Sequence, residues 1–284
     1  MPDELKYAIL DTDFVSKANI ISTKEHALAD EVLAFPGYRF FCHQKMKEEL
    51  SDHGTLPAQA WLDSMVADGT IVCYSDEKIV FELRKLASDN CLYYYRSFLK
   101  KGCDLFKAGF YEEYFGALDE FIESGTKDDI AFLSVLKSCE AFIGHGQNYG
   151  EVKAYVLSQT LWLIHGVETY IFCSDDFHAR QGFANGAQIP CISILSVFLK
   201  LKYIGKSKEE LLPYFQSYIR WNSERDIPQT QVKVWEYSYG SDKRIKVPIG
   251  TILDDIYAGV YETRKNGDLQ RKQYRSTERL MHLE

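Results

Sequence analysis

Seven acidic side chains in four places along this chain are spaced so that they could do chemistry together: Asp11 with Asp13, Glu48 with Glu49, Glu151, and Asp175 with Asp176. The first pair follows the apolar run Tyr7-Ala8-Ile9-Leu10. The second lies just beyond Tyr38-Arg39-Phe40-Phe41-Cys42, and the last closes Thr169-Tyr170-Ile171-Phe172-Cys173-Ser174. Glu151 opens a helical stretch directly after Gly150. In a parallel α/β sheet, the carboxyl ends of strands and the amino ends of the following helices share one edge. Carboxylates gathered there repel one another and hold protons more tightly unless a cation neutralises them. A hard divalent cation such as Mg2+ or Mn2+ suits an all-oxygen site, so the pattern points to a metal-dependent acidic site. The same residue types also have a plainer use. An acid in the first turn of a helix caps it and offsets its dipole, a role that Glu49, Glu151 and Asp176 each fit singly. Glu48 reads as a solvated helix residue.

The elements that must position these acids alternate between strand and helix. A strand over 6–10 leads into apolar Phe14, Val15, Ala18, Ile20 and Ile21, then a helix over 24–35 that Pro36-Gly37 breaks. A strand over 38–42 is followed by a helix over 43–52, with Met46 and Leu50 on one face. Pro57 starts a further helix, Gly69 stops it, and 70–74 is a third strand. Residues 76–146 carry helical periodicity without clear strands; the aromatics within 93–121 fall at core spacing. Alternation resumes with a helix over 151–165, a strand over 169–174, a helix over 177–185, a short strand over 189–194 and helices over 195–203 and from 206 or 207 to 221. This predicts an α/β fold of three layers, α/β/α, with a central parallel sheet. Its core spans 1–75 and 147–205, a helical insertion spans 76–146, and a C-terminal extension spans 206–284. Within the extension, 231–239 and 243–249 can pair as a hairpin across Gly240-Ser241-Asp242, and Arg264 to Arg279 is a basic stretch that reads as a solvated tail or a phosphate-touching arm.

Bulk properties narrow the class. A chain of 284 residues that is 46% hydrophobic and 14% aromatic can bury one large core or two modest ones. No apolar run approaches the roughly 20 residues that cross a bilayer, which argues against a membrane protein. Asp3 and Glu4 ahead of a short strand do not read as a signal peptide. The seven cysteines are odd in number, form no C-x-x-C pair and fall partly in apolar runs, as expected of reduced thiols in a cytoplasmic protein. Zinc ligand spacing is absent. The formal charge of −8 disfavours a broad nucleic-acid surface, while an acidic catalytic cluster beside a local basic strip remains compatible with it.

Four stretches carry a resemblance. Ile9-Leu10-Asp11-Thr12-Asp13-Phe14-Val15 resembles the opening "LDT-x-hydrophobic" signature of PIN-domain proteins, and Met46-Lys47-Glu48-Glu49-Leu50 resembles their V-x-x-E-L element, with Glu49 at the acidic position. Gly150-Glu151-Val152-Lys153-Ala154 resembles their G-E-x-x-A helix start, and Ser174-Asp175-Asp176-Phe177-His178-Ala179-Arg180 the "DD-x-x-A-R" element of one subgroup. The resemblance covers about 1–75 and 147–205 in the family's order. It implies a metal-dependent endoribonuclease, with Asp11, Glu49, Glu151, Asp175 and Asp176 as metal ligands and catalytic acids. Asp13, Ser174 and Arg180 would orient a ligand or touch substrate, although Arg180 also reads as a structural ion pair. The insertion and the extension set the chain apart from the family's small bacterial toxins. The implied substrate is RNA, single-stranded by preference, with room for a homodimer or a protein partner in binding it.

Two rival readings use the same residues. Asp11-Thr12-Asp13-Phe14-Val15 also fits D-x-D-x-[TV] of haloacid dehalogenase-like phosphatases, with Asp11 as nucleophile, Asp13 as general acid/base, Ser75 in the second motif and Lys137 or Lys153 as the lysine. That reading leaves Glu49 and Glu151 without a role. A non-catalytic module would instead bind RNA or protein through the aromatics of the insertion. Lys153 itself reads as solvent-facing, and His43 and His178 as ordinary polar contacts.

Overall fold

The computed structural model describes residues 5–52, 54–107, 109–143 and 148–272. Strand β1 (Lys6–Leu10) runs directly into helix α1 (Thr12–Ile20), followed by α2 (Leu28–Leu33), β2 (Tyr38–His43), α3 (Gln44–Asp52), α4 (Leu56–Ala67) and β3 (Ile71–Tyr74). Five helices come next: α5 (Asp76–Ala87), α6 (Cys91–Phe106), α7 (Phe110–Tyr114), α8 (Gly116–Glu123) and α9 (Asp129–Glu140). The long α10 (Tyr149–His165) returns the chain to β4 (Thr169–Cys173), α11 (Phe177–Gln181), β5 (Cys191–Ile192), α12 (Ile194–Tyr203) and α13 (Lys208–Ser223). The C-terminal part adds β6 (Gln231–Ser238), β7 (Ser241–Pro248), α14 (Ile252–Tyr257), β8 (Tyr261–Thr263) and β9 (Leu269–Arg271).

The central sheet has the order β3-β2-β1-β4-β5 and all of its pairings are parallel. Helices cover both faces, as the strand–helix alternation predicts. Because side chains alternate across a strand, each strand feeds two cores. Ala8, Leu10, Phe40, Cys42, Ile71, Cys173 and Ile192 pack on one side with α1 to α4 and α12 to α14. Tyr7, Ile9, Phe41, Tyr74, Phe172 and Cys191 pack on the other with α5 to α10. Burial on both faces is why these strands read as continuous apolar runs.

Several boundaries differ from expectation for identifiable reasons. The helix expected over 24–35 begins only at Leu28. The Thr23 hydroxyl accepts from the Glu25 and His26 amides and holds a turn there, and the Asp30 carboxylate accepts from the Ala27 amide to start α2. The apolar positions from Phe14 instead belong to a helix that starts one residue after Asp11. The helix expected over 177–185 ends at Gln181 and passes into a single π turn over Gly182–Gly186. The strand expected over 189–194 is only two residues long.

The insertion is packed into the molecule. Tyr95, Phe110, Tyr111 and Phe115 are buried, as their helical spacing predicts, while Tyr93 and Tyr94 are exposed. α6 lies close against α10, and a Cβ at Gly102 would meet Tyr155 and Val152 of α10 at 3.2 Å. The C-terminal part is equally integrated. β6 and β7 pair antiparallel as expected, but the turn falls at Tyr239-Gly240, so that Ser241 and Asp242 pair with Ser238 and Tyr237, within a second sheet of order β7-β6-β9-β8. Val234, Val247, Ile252, Ile256, Tyr261 and Leu269 join the same core as α1. As far as Lys272, the basic stretch from Arg264 forms a tight turn and β9 rather than a solvated tail, with Arg264 paired to Asp242 and Arg271 to Glu236. Arg275 and Arg279 lie outside the described residues. Among the described residues, no helix is long and apolar enough to cross a membrane.

Candidate active site

At the carboxyl edge of the central sheet lies a cleft of about 530 Å³ whose lining includes Asp11, Asp13, Glu49, Glu151, Asp175 and Asp176. All the acids that the sequence singled out, apart from Glu48, therefore meet in one place. Glu48 instead pairs with Lys45 on the surface.

Asp11 ends the buried run of β1, and its amide donates to the Cys173 carbonyl of β4 at 3.0 Å. Its Oδ2 accepts from the Ser174 hydroxyl at 2.8 Å, and that hydroxyl accepts from the Asp176 amide at 3.1 Å. One serine thus orients the Asp11 carboxylate and the turn bearing Asp175 and Asp176. Glu49 stands in the second turn of α3, too far along to act as a cap. Its Oε2 accepts from the Thr12 hydroxyl at 2.6 Å. A Cβ at Gly150 would come within 2.7 Å of both Glu49 carboxylate oxygens, so the glycine before Glu151 is what lets α10 begin against Glu49.

The acids divide by how their charge is met. Lys17, one turn into α1 from Asp13, sits 2.7 Å from Asp13 Oδ2 and 2.9 Å from Asp175 Oδ2. Asp175 Oδ1 accepts from the Ile194 amide at the start of α12, at 3.1 Å. Asp176 caps α11 by accepting from the Ala179 amide at 2.8 Å. Among the described residues, no lysine or arginine is paired with Asp11, Glu49, Glu151 or Asp176. Burial, reinforced by the charges of Glu151, Asp13 and Glu49, pushes the Asp11 carboxyl well above the usual range against the pull of the Ser174 hydroxyl. Burial, with Glu49, Asp176 and Asp13 nearby, pushes Glu151 up to about 7 despite a bond to its own backbone amide. Crowded, uncompensated carboxylates of this kind are a signature of functional sites.

The donor set fits a hard divalent cation in chemistry: oxygen ligands only, with negative charge in excess. Among the described residues, no group of three or more His, Cys, Asp or Glu is already arranged to hold a metal ion. Binding one therefore requires the carboxylates to draw together. Asp175 is engaged at both oxygens and the Asp13 charge is met by Lys17, which leaves Asp11, Glu49, Glu151 and Asp176 as the groups with both an oxygen to offer and an uncompensated charge.

Lys153 departs from expectation. It is 1% exposed, and its Nζ lies 2.8 Å from both Asp76 oxygens, 2.6 Å from Glu140 and 2.8 Å from the Tyr95 hydroxyl. The insertion covers that face of α10, so no solvent is there to receive the charge. His43 also bonds Asp76, at 3.2 Å. Lys137 pairs with Glu77 on the surface and Ser75 caps α5; both lysines named for the phosphatase reading are thus held by other carboxylates. Arg180 is a structural ion pair: it bonds Asp268 at 2.7 Å, the Asn266 carbonyl at 2.8 Å and the Ser174 carbonyl at 3.0 Å, joining the core to the C-terminal turn.

Comparison with known proteins adds no relative: no family model matches the chain, and neither a curated protein nor a solved structure does. The PIN resemblance rests on the four sequence stretches alone.

Sequence reasoning missed Thr12, Lys17 and Glu140, which also line the cleft. Lys17 had a local signal, since Asp13 and Lys17 are four apart and face each other once a helix starts at Thr12. Glu140 had none, because its place depends on how the insertion folds back.

Proposed function

We propose that this protein is a PIN-like endoribonuclease that hydrolyses RNA phosphodiester bonds with Mg2+ or Mn2+. The observation that carries this reading is the meeting of Asp11, Glu49, Glu151 and Asp176, from four separate stretches of chain, in one cleft, where among the described residues none of the four is paired with a lysine or arginine. Those four residues would hold the ion. When bound, it supplies charge relief on the phosphate oxygens and a water that is nucleophilic near neutral pH.

The chain's own groups have distinct tasks. Ser174 orients Asp11, and Thr12 orients Glu49. Lys17 neutralises Asp13 and Asp175, leaving the uncompensated negative potential on Asp11, Glu49, Glu151 and Asp176. Glu151, with its affinity for protons raised to about 7, can hold or release one near neutral pH. Single-stranded RNA is the preferred substrate because its backbone can reach a recessed site, and the products carry 5′-phosphate and 3′-hydroxyl ends. The place of action is the cytoplasm, and a second copy or another protein can complete the substrate surface.

The test pairs wild type with Glu151→Gln, which keeps size and removes one charge. We expect wild type to cleave single-stranded RNA only with Mn2+ or Mg2+, and the variant to bind Mn2+ more weakly and cleave about 100-fold more slowly, equal to about 2.7 kcal/mol of lost transition-state stabilisation. The melting temperature of the metal-free variant should be unchanged or higher. Undiminished cleavage in chelator, 2′,3′-cyclic phosphate products, or a fully active Glu151→Gln would refute the mechanism.

A further inference from the structure

A second cleft, of about 540 Å³, adjoins the acidic one and shares Asp175 with it. Its character is opposite. Its lining includes Gln231, Lys233, Arg244 and Lys246 from the β6–β7 ribbon, with Phe177 from α11 and Gln229 from the segment that enters β6.

Three features of this cleft have no account in the fold alone. Lys233 and Lys246 are cross-strand partners in the β6–β7 register and therefore stand on the same face, directly opposite each other. Like charges so placed destabilise a sheet, and among the described residues neither has an acidic partner. Arg244, two residues before Lys246 and on the same face, packs its guanidinium 4.0 Å over the Phe177 ring. Its Nε is buried with no hydrogen-bond partner among the described residues, although buried polar groups are ordinarily satisfied. Two other arginines at this sheet are paired, Arg264 with Asp242 and Arg271 with Glu236, although Arg271 Nε likewise lacks a hydrogen-bond partner among the described residues. In a chain with formal charge −8, three unpaired cations on one small face, with an unmet donor among them, call for an anion from outside.

We propose that this cleft binds the phosphodiester backbone of single-stranded RNA beside the scissile bond, with Lys233, Arg244 and Lys246 on successive phosphates. The inference rests on the ribonuclease reading for the identity of the polyanion. Asp175, which lies on both clefts, marks where the strand passes from one to the other. Arg244 packs over the Phe177 ring, which restricts the placement of its donors. The basic face supplies affinity for a strand that the acidic cleft by itself repels.

The experiment separates this inference from the catalytic reading. A fluorescein-labelled oligouridylate of about twelve nucleotides is titrated with full-length protein in chelator, so that binding is read without cleavage, over a range of salt. Wild type is compared with Lys233→Glu/Lys246→Glu and with Lys24→Glu/Lys101→Glu, which changes net charge equally at exposed positions outside both clefts. We expect the ribbon variant to bind at least about 10-fold more weakly, and its log–log salt slope to fall by about 1.4, the value for two lost phosphate contacts on a single strand. The control variant should track wild type, and all three should melt alike. With Mn2+ present, KM should rise more than kcat falls in the ribbon variant. Equal binding and equal slope for the ribbon variant and wild type would overturn the inference while leaving the catalytic reading intact. So would no binding by wild type, or displacement by polyglutamate as effective as by unlabelled RNA, which would mark an acidic protein partner. Binding that depends on Lys233 and Lys246 in a protein that cleaves no RNA would sustain this inference and defeat the catalytic one.

Discussion

Two charged clusters lie two residues apart on α10, and they are built on opposite plans. Around Lys153, the carboxylates of Asp76 and Glu140 close on a buried ammonium, with His43 and Tyr95 completing Asp76 and Tyr149 donating to Glu140 at 2.5 Å. Lys153 and His43 together hold the Asp76 carboxyl well below the usual range in spite of its burial. Around Glu151, the carboxylates of Asp11, Glu49 and Asp176 meet with no ammonium paired to them among the described residues, the nearby Lys17 being taken by Asp13 and Asp175. The hold of Asp11 and Glu151 on protons rises. The difference teaches how to tell a structural ion network from a site in one and the same protein. A cluster that carries its own counter-ion is complete, while one whose charge is left over must take up protons or, on the proposed reading, a cation. Helix α10 serves both because successive positions on a helix point about 100° apart, so Glu151 and Lys153 face different neighbours.

The comparison breaks most visibly at Lys153. Lys153→Met removes the counter-ion and leaves two buried carboxylates facing each other, which should cost about 3–5 kcal/mol in denaturant unfolding. A loss below about 1 kcal/mol would mean that the network is not what holds the insertion on α10.

A pH titration of stability sharpens it next. Glu151 binds its proton more tightly folded, with a pKa of about 7, than unfolded, near 4.5, and Asp11 shifts in the same direction. Between those values the folded state holds more protons, so the metal-free protein should become more stable as pH falls from about 7 toward 5, by at most about 1.4 kcal/mol per pH unit for each such group. Asp76 contributes the opposite sign, since its stabilisation is present above its unfolded pKa and is lost only as pH falls through the folded value; it is silent in this window. Saturating Mn2+ should cancel the acid-side gain, because the ion binds the ionised carboxylates. Thermal melts at pH 5 to 8, with and without Mn2+, read the result, and a flat profile without metal would contradict the picture of uncompensated charge.

The smallest effect concerns Gly150. Alanine there adds helix propensity worth about 0.5–1 kcal/mol, while its Cβ displaces the Glu49 carboxylate, a movable side chain. Gly150→Ala should therefore melt at or slightly above wild type yet bind Mn2+ more weakly. Equal Mn2+ affinity would remove Glu49 from the site.

Much of this molecule was legible along the chain. Apolar runs such as Tyr7 to Leu10 and Phe40 to Cys42 specify strands buried on both faces, and strands separated by helices specify a parallel sheet. Acids placed just past those strands then fall at a common edge, which is why Asp11, Glu49, Glu151, Asp175 and Asp176 could be named together. Local rules also specify the β6–β7 hairpin. What the chain could not declare was which charge would meet which. Lys153 reads like any lysine on a helix until the insertion covers it, and Arg180 becomes a structural bolt only because Asp268 arrives from 88 residues away. Lys17 comes to bridge Asp13 and Asp175 through a contact that spans 158 residues. Strand and helix signals are local because backbone periodicity and burial act over a few residues. Charge pairing is decided by distance and desolvation in the folded molecule, and only the tertiary structure sets those.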